Sequence, residues 1–229
     1  MMATDPALFL DEAVHHTPAN AAVISDDTVI DYERLDECVE WLCADFAACG
    51  IQAHMRVDLS LAAGTNLVIA THALVRMGTV VVLPCAANTL PTAESGDPGI
   101  HFVIADYDDS GLEDTITDLT GRDACPVFYA GHDFAVALVN DAPPRDDRTG
   151  FIIDPGRRVI DWAEYSERIE NPRHTLALNT DPEVRIGDDW TATERILGVL
   201  ACARRGACVE ITATESDLSP RPLPLMSVR

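Results

Sequence analysis

The chain has 229 residues, 47% of them apolar, and a formal charge of −22 from 38 acidic and 16 basic side chains. That length supports a sizeable core, and so acidic a surface repels phosphate backbones and anionic lipid, which argues against nucleic-acid binding and membrane-surface roles. All 16 basic residues are arginine, so chemistry that needs a lysine amine, such as a Schiff base or a phosphate-loop lysine, is excluded as well.

The opening "MMATDPALFLDEAV" carries acids where a secretory signal carries positive charge, and no stretch reaches the roughly 18 apolar residues of a membrane span. A cytoplasmic location is expected. The seven cysteines, Cys38, Cys43, Cys49, Cys85, Cys125, Cys202 and Cys208, include no Cys-x-x-Cys pair. Their settings among Ala, Leu and Val predict reduced core thiols and no metal site.

In chain order, Asp5 to Thr17 has helical spacing and stops before Pro18. Ala22–Ser25 and Thr28–Ile30, separated by Asp26-Asp27, predict a hairpin. Asp31 then caps a helix whose apolar stripe is Tyr32, Leu35, Val39, Leu42, Phe46 and Cys49, ended by Gly50. Arg56 to Leu61 is a strand. Gly64 to Met77 is a helix apolar on almost every side, closed by Gly78, and "TVVVL" at Thr79 to Leu83 is a β-branched run suited to burial on both faces of a parallel sheet. A Pro/Ala/Gly-rich loop reaches Gly99. The strand "IHFVIA", a helix near Asp109 to Leu119, the strand "CPVFY" and a helix from His132 to Val139 continue the alternation.

"NDAPPRDDRTG", from Asn140 to Gly150, has linker composition. Phe151–Asp154 and Arg157–Ile160 predict a second hairpin around Pro155-Gly156. Asp161 with Glu164 starts a helix striped by Trp162, Tyr165 and Ile169, Thr175–Leu178 reads as a strand, and "DWTATERILGVLACARRG" is an apolar helix closed by Gly206 before the strand "ACVEI". "VIDY" at Val29 and "VIDW" at Val159 thus open the same series: hairpin, capped helix, strand, apolar helix, Gly, buried strand. Six elements in matching order indicate duplication. The predicted fold class is α/β, with two pseudo-repeated lobes, each a mainly parallel sheet flanked by helices. The lobes are assigned to residues 1–147 and 148–212, with a Pro-rich tail over 213–229.

The series "DYERLDECVEWLCADFAACGIQAHMRVDL" followed by "LVRMGTVVVLPC" resembles the start of the adenylate-forming enzymes, the acyl-CoA synthetases and adenylation domains. Tyr32, Leu35, Gly50, Val57, Gly78 and Pro84 occupy places matching that family's "TYxEL" helix and "GAVYVPLxP" strand. The similarity runs from about Ala7 to Ile211, like that of short actinobacterial proteins which resemble only this half of the fold. The resemblance implies that the strand "FIID" should enter a long Thr/Ser/Gly loop ending Pro-Lys-Gly, whose amides cradle the triphosphate of ATP. Here it meets Asp154, Pro155 and Gly156, a degenerate phosphate-loop position with an acid, a residue lacking an amide hydrogen, and few residues in all. The family's adenine contacts, magnesium acid and catalytic lysine lie downstream of the matched region.

Four residues are candidate ligand contacts. Arg157 and Arg158 directly follow Gly156 and suit an anion, although a solvated hairpin tip is the favoured reading. Cys85 follows a buried strand at its carboxyl end, where open sheets bind ligands, and an inert packed thiol is favoured. His132, with Asp133, opens a turn after a strand. No residue is assigned as catalytic, and no cofactor is expected. The leading expectation is a truncated, non-catalytic adenylate-forming-like protein serving as a binding or protein-interaction module. The alternatives are a binder of an acyl or adenylate small molecule, and a cysteine- or histidine-dependent hydrolase. A homodimer or a protein partner is expected to cover the sheet that the family continues with further chain.

Overall fold

The computed structural model describes residues 5–25, 28–83, 100–106, 125–129, 132–139, 143–144, 152–153, 159–160, 165, 183–186 and 190–211. A 3-10 turn at Pro6–Leu8 leads into α1 (Phe9–His16). The hairpin β1 (Ala21–Ser25) and β2 (Thr28–Asp31) precedes α2 (Tyr32–Ala48), β3 (Arg56–Ser60), α3 (Thr65–Arg76) and β4 (Val80–Val82). After these come β5 (Phe102–Asp106), β6 (Cys125–Tyr129), β7 (His132–Leu138), β8 (Ile152–Ile153), β9 (Val159–Ile160), β10 (Glu183–Ile186), α4 (Ala192–Arg205) and β11 (Cys208–Ile211).

Among the described residues the strands form two sheets flanked by helices, a four-stranded sheet in the order β10-β11-β1-β2 and a seven-stranded sheet in the order β6-β7-β5-β3-β4-β8-β9. Neither sheet is confined to one of the repeated segments. The first hairpin lies beside the last strand of the second segment, with β1 parallel to β11 in the register Val23↔Val209. The second hairpin lies beside the last strand of the first, with β8 parallel to β4 in the register Val82↔Ile153. The repeat is therefore completed by exchange: each unit supplies a hairpin to the sheet of the other.

Local chemistry starts and stops the elements as the residues suggest. Asp31 caps α2, its carboxylate accepting from Arg34 N at 2.8 Å. Thr191 and Glu194 form a reciprocal capping box at the start of α4. Gly78 and Gly206, with φ of +68° and +64°, end α3 and α4 in the left-handed region and turn the chain into β4 and β11. A Cβ on Gly206 would also lie 2.9 Å from Thr17 Oγ1.

One core joins the two sheets. It contains Phe9 and Leu10 of α1, the α2 stripe Tyr32, Leu35, Val39, Leu42 and Phe46, and Leu67 through Ala70 of α3. From the sheets it takes Val23, Val184 and Val209 on one side and Val57, Leu59, Ile104 and Val136 on the other. Helix α3 touches β4 of one sheet and β1 of the other, which is why it is apolar on nearly every side. Its His72 is fully enclosed, and burial, helped by Arg76, lowers its pKa to about 3, so the ring is neutral.

Two segments differ from the sequence reading. Residues 132–138 form a strand, not a helix: β7 pairs antiparallel with β6 (Tyr129↔His132) and with β5 (Ile104↔Val136). Seven residues make a marginal helix, whereas between two strands the same backbone is bonded on both sides. Strand β10 is the second segment's counterpart of β3, pairing parallel with β11 (Val184↔Val209), while the expected strand at Thr175–Leu178 lies outside the described residues. Glu-Val-Arg-Ile alternates exposed and buried side chains, the pattern of a strand with one wet face. The expected helix near Asp109 to Leu119, the Asp161 cap, the loop before Gly99 and the tail 213–229 also lie outside the described residues.

Tyr32 ties the exchanged parts together. Its hydroxyl donates to Ala207 O at 2.5 Å, with Cys202 O at 3.2 Å, so the first turn of α2 is bonded to the junction between α4 and β11. Burial raises its pKa well above the usual tyrosine value, so the donor stays protonated. Tyr32→Phe leaves the ring packed and the Ala207 carbonyl without its donor. It is expected to destabilise the protein by about 1–3 kcal/mol in urea unfolding, with unchanged secondary structure by circular dichroism.

Candidate functional site

Four adjacent strands, β5, β3, β4 and β8, run parallel, so their carboxyl ends share one edge of the larger sheet. From β3 the chain passes through α3 to β4 on one side. From β5 it leaves toward β6 and β7 on the other. The connections diverge between β3 and β5, and at such a switch point an open α/β sheet forms a crevice. Ser60 ends β3 opposite Ala105, and β5 ends at Asp106.

Asp58 lies below this edge, in the middle of the sheet. Because side chains alternate, Val57 and Leu59 enter the main core while Asp58 and Ser60 project from the opposite face. The cross-strand partners of Asp58 are Val82 and Val103. On that face Ile100, Val103 and Ala137 pack as a separate apolar cluster with Val82 against it. A carboxyl group only 3% exposed is thus set among valines, with Ser60 Oγ donating to its Oδ1 at 2.5 Å. Burial raises its pKa to about 6, and the Ser60 hydrogen bond pulls it part of the way back. A carboxyl with that pKa changes charge in the range where a proton donor or a receptor for a cation works. At the opposite, amino end of the same strand, His101 Nδ1 accepts from Arg56 N at 2.9 Å, which leaves Nε2 as the site of its ring hydrogen when neutral.

The sequence reading did not single out Asp58 and Ser60. The signal was present: in "RVDLS" an acid occupies an alternate position of a strand flanked by the β-branched runs that bury it. Cys85, Arg157, Arg158 and the turn residues Asp154, Pro155 and Gly156 lie outside the described residues. The strands leading to them are neighbours, since Val82 and Ile153 are register partners, with Cys85 three residues beyond the first and Asp154 directly after the second. His132 heads β7 as the partner of Tyr129, so it does not open a helix. Burial is the leading cause that raises the thiols of Cys43 and Cys208 to about 11 and that of Cys202 to about 12, so these three are not activated. Among the described residues no cluster of three His, Cys, Asp or Glu side chains could hold a metal ion, and no helix is long and apolar enough to cross a membrane.

The fold recurs in solved structures. The N-terminal subdomain of Klebsiella oxytoca NpsA, in complex with 3-hydroxybenzoyl-AMSN, matches 90% of this chain at a TM-score of 0.57 and 17% identity. A double mutant of o-succinylbenzoate CoA synthetase (MenE) from Bacillus subtilis matches 91% at 0.63 and 15%, and a Mycobacterium tuberculosis fatty acyl CoA synthetase matches 91% at 0.63 and 14%. The chain has the fold of the N-terminal subdomain of adenylate-forming enzymes. It spans about half the length of these structures, 53%, 45% and 44% respectively. Comparison with protein-family models and with curated proteins gives no match. Within this adenylate-forming fold, Asp58 sits on the central parallel strand, on the face opposite α2 and α3.

The raised pKa of Asp58 has a definite sign. An unfolded Asp titrates near pH 4, so between about pH 4 and 6 the folded protein binds more protons than the unfolded one. Stability should fall as pH rises through that window and level off above it. Asp58→Asn is expected to abolish the fall and to stabilise the protein at neutral pH by on the order of 2–3 kcal/mol, as urea midpoints measured across the window would show.

Proposed function

We propose that this chain is a non-catalytic protein of the adenylate-forming fold, working as a binding or protein-interaction module. The observation that carries the reading is the β8–β9 hairpin. Ile153 pairs with Val159, so only the five residues Asp154 to Arg158 join the two strands. The family resemblance puts a long phosphate-cradling loop at this place. Five residues that include an acid and a proline offer few amides to an anion, and a lysine-free sequence has no amine to neutralise a triphosphate. Arginine alone would have to stabilise the charge of adenylyl transfer. A cytoplasmic location belongs to the same reading, as does a homodimer or protein partner covering the sheet.

A second reading, a binder of an acyl or adenylate small molecule, is favoured by one feature. Where the connections diverge between β3 and β5, Ser60 brings a hydroxyl to the sheet edge where such folds hold ligands, with the buried Asp58 carboxyl hydrogen-bonded to it below. A hydrolase using Cys85 or His132 draws less support, because the helix start that suggested a ligand-facing His132 is a strand.

Calorimetric titration with magnesium ATP, and with AMP in parallel, tests the proposal. No saturable heat from either nucleotide is expected, and no thermal shift where a ligand at about 100 times its dissociation constant would stabilise the fold by about 2.7 kcal/mol. Tight ATP binding would overturn the short-turn argument. Saturable binding of AMP without ATP would favour the small-molecule reading.

A further inference from the structure

The end of β3 holds a pair of polar groups that the core does not use. Ser60, partly exposed at the carboxyl edge of the larger sheet, donates its Oγ hydrogen to Oδ1 of Asp58 at 2.5 Å. Asp58 is 3% exposed, and among the described residues this hydroxyl is its one hydrogen-bond partner. A hydroxyl at an accessible edge, bonded to an enclosed carboxyl, has the form of a nucleophile held against its base. Burial beside Val82 and Val103 strengthens that base, because it disfavours the charged carboxylate and a proton received from Ser60 relieves the charge.

The residues after Ser60 add to the arrangement. Four of them, Leu61 to Gly64, lead from β3 into α3; Ala62 is exposed, and Ala63 and Gly64 are partly so. These small side chains leave room beside the hydroxyl. Gly64 stands at the N-cap with no side chain to bond the first amides of α3, and the first turn holds no acid. The positive end of a twelve-residue helix is thus uncapped at the same sheet edge, where its dipole favours an oxyanion developing on a group attacked by Ser60.

Charge selects the electrophile. A phosphoryl group would bring negative charge to a carboxylate in a lysine-free chain of charge −22, whereas an acyl carbonyl is neutral until it is attacked. A thioester suits the pair best, because a thiol with a pKa of about 8.5 leaves without a strong acid to help it.

We propose that Ser60 is an acyl acceptor with Asp58 as its base, capturing an acyl group from a thioester as a serine ester. In this step the bond from Oγ to the carbonyl carbon forms while the Oγ proton passes to Asp58. The tetrahedral oxyanion then collapses, the carbon–sulfur bond breaks, and the thiolate takes the proton from Asp58 and departs as free thiol. One acyl group is held per chain and no nucleotide is consumed. This deepens the binding-module reading by naming what is bound, and rests on it.

The test exposes the full chain to S-phenyl thioacetate and follows intact mass, with peptide mapping to place the adduct. One acetyl group per chain is expected on Ser60, resistant to neutral hydroxylamine, which strips thioesters from any of the seven cysteines. Ser60→Ala should abolish it. Asp58→Asn should slow it by about 100-fold or more, and since that variant is expected to be the more stable protein, unfolding does not explain the loss. The parent's rate should climb as pH rises through about 6, where Asp58 ionises, and Asp58→Asn should lack that step. Arg56 and His101, the ionisable side chains at the amino end of these strands, are the same in both proteins. Equal rates in the parent and Asp58→Asn would make Ser60 an ordinary surface hydroxyl and overturn the proposal. So would acetylation of cysteines alone, or none. Any of these results, obtained while the nucleotide titrations stay silent, removes acyl capture and leaves the non-catalytic reading standing. Tight ATP binding together with acetylated Ser60 would remove that reading and leave the acyl site.

Discussion

The exchange of hairpins between the two repeated units is the constraint from which the rest of the architecture follows. In the smaller sheet, β1 of the first unit is held by β11 of the second. In the larger, β8 of the second unit is held by β4 of the first. Backbone hydrogen bonds at the junctions cannot be satisfied within either unit, and unpaired strand edges are both costly and prone to wrong pairing. The sheets must therefore form together. Tyr32 reinforces the dependence, because its hydroxyl crosses from the start of α2 to Ala207, some 175 residues along the chain. The helix that most clearly belongs to both sheets, α3, is correspondingly the one with almost no wet face.

Charge is handled sparingly inside this frame. Arg76, at the end of α3, reaches Asp11 of α1 at 2.5 Å and Asp36 of α2 at 2.6 Å, joining three helices through one guanidinium. On the small sheet Arg185 of β10 pairs with Glu210 of β11. In so acidic a chain each arginine relieves repulsion between carboxylates as well as forming a pair, although pairs with exposed partners contribute little individually. Asp58 stands apart from this pattern. It is buried on the face of the larger sheet that α2 and α3 do not cover, with a hydroxyl for its partner, and its environment works against its charge.

A fold shared with acyl-activating enzymes does not carry their chemistry with it, since activity resides in loops and side chains placed on the scaffold. Here the connections of the parallel core strands diverge between β3 and β5, and five residues join β8 to β9 where the resemblance would put a phosphate loop. Its candidate site is a buried carboxyl inside the larger sheet, just below the edge where the parallel strands end.

Much of the secondary structure was legible because local chemistry decides it. Asp31, Gly78 and Gly206 bound their helices through caps and positive φ, and "TVVVL" is a strand by β-branching and continuous apolarity. The family resemblance was legible from the order of elements. What was not legible depended on neighbours distant in sequence. His132–Leu138 is a strand because β5 and β6 bond it from both sides, and Asp58 is a candidate site because β4 and β5 bury it. The sequence by itself determined the elements that local caps and apolar patterns define, such as α2, α3, α4 and β4, and the lysine-free acidity. Only the tertiary structure decided which sheet each hairpin joins, since pairing energy comes from partners brought together by folding of the whole chain, and no local pattern records who those partners are.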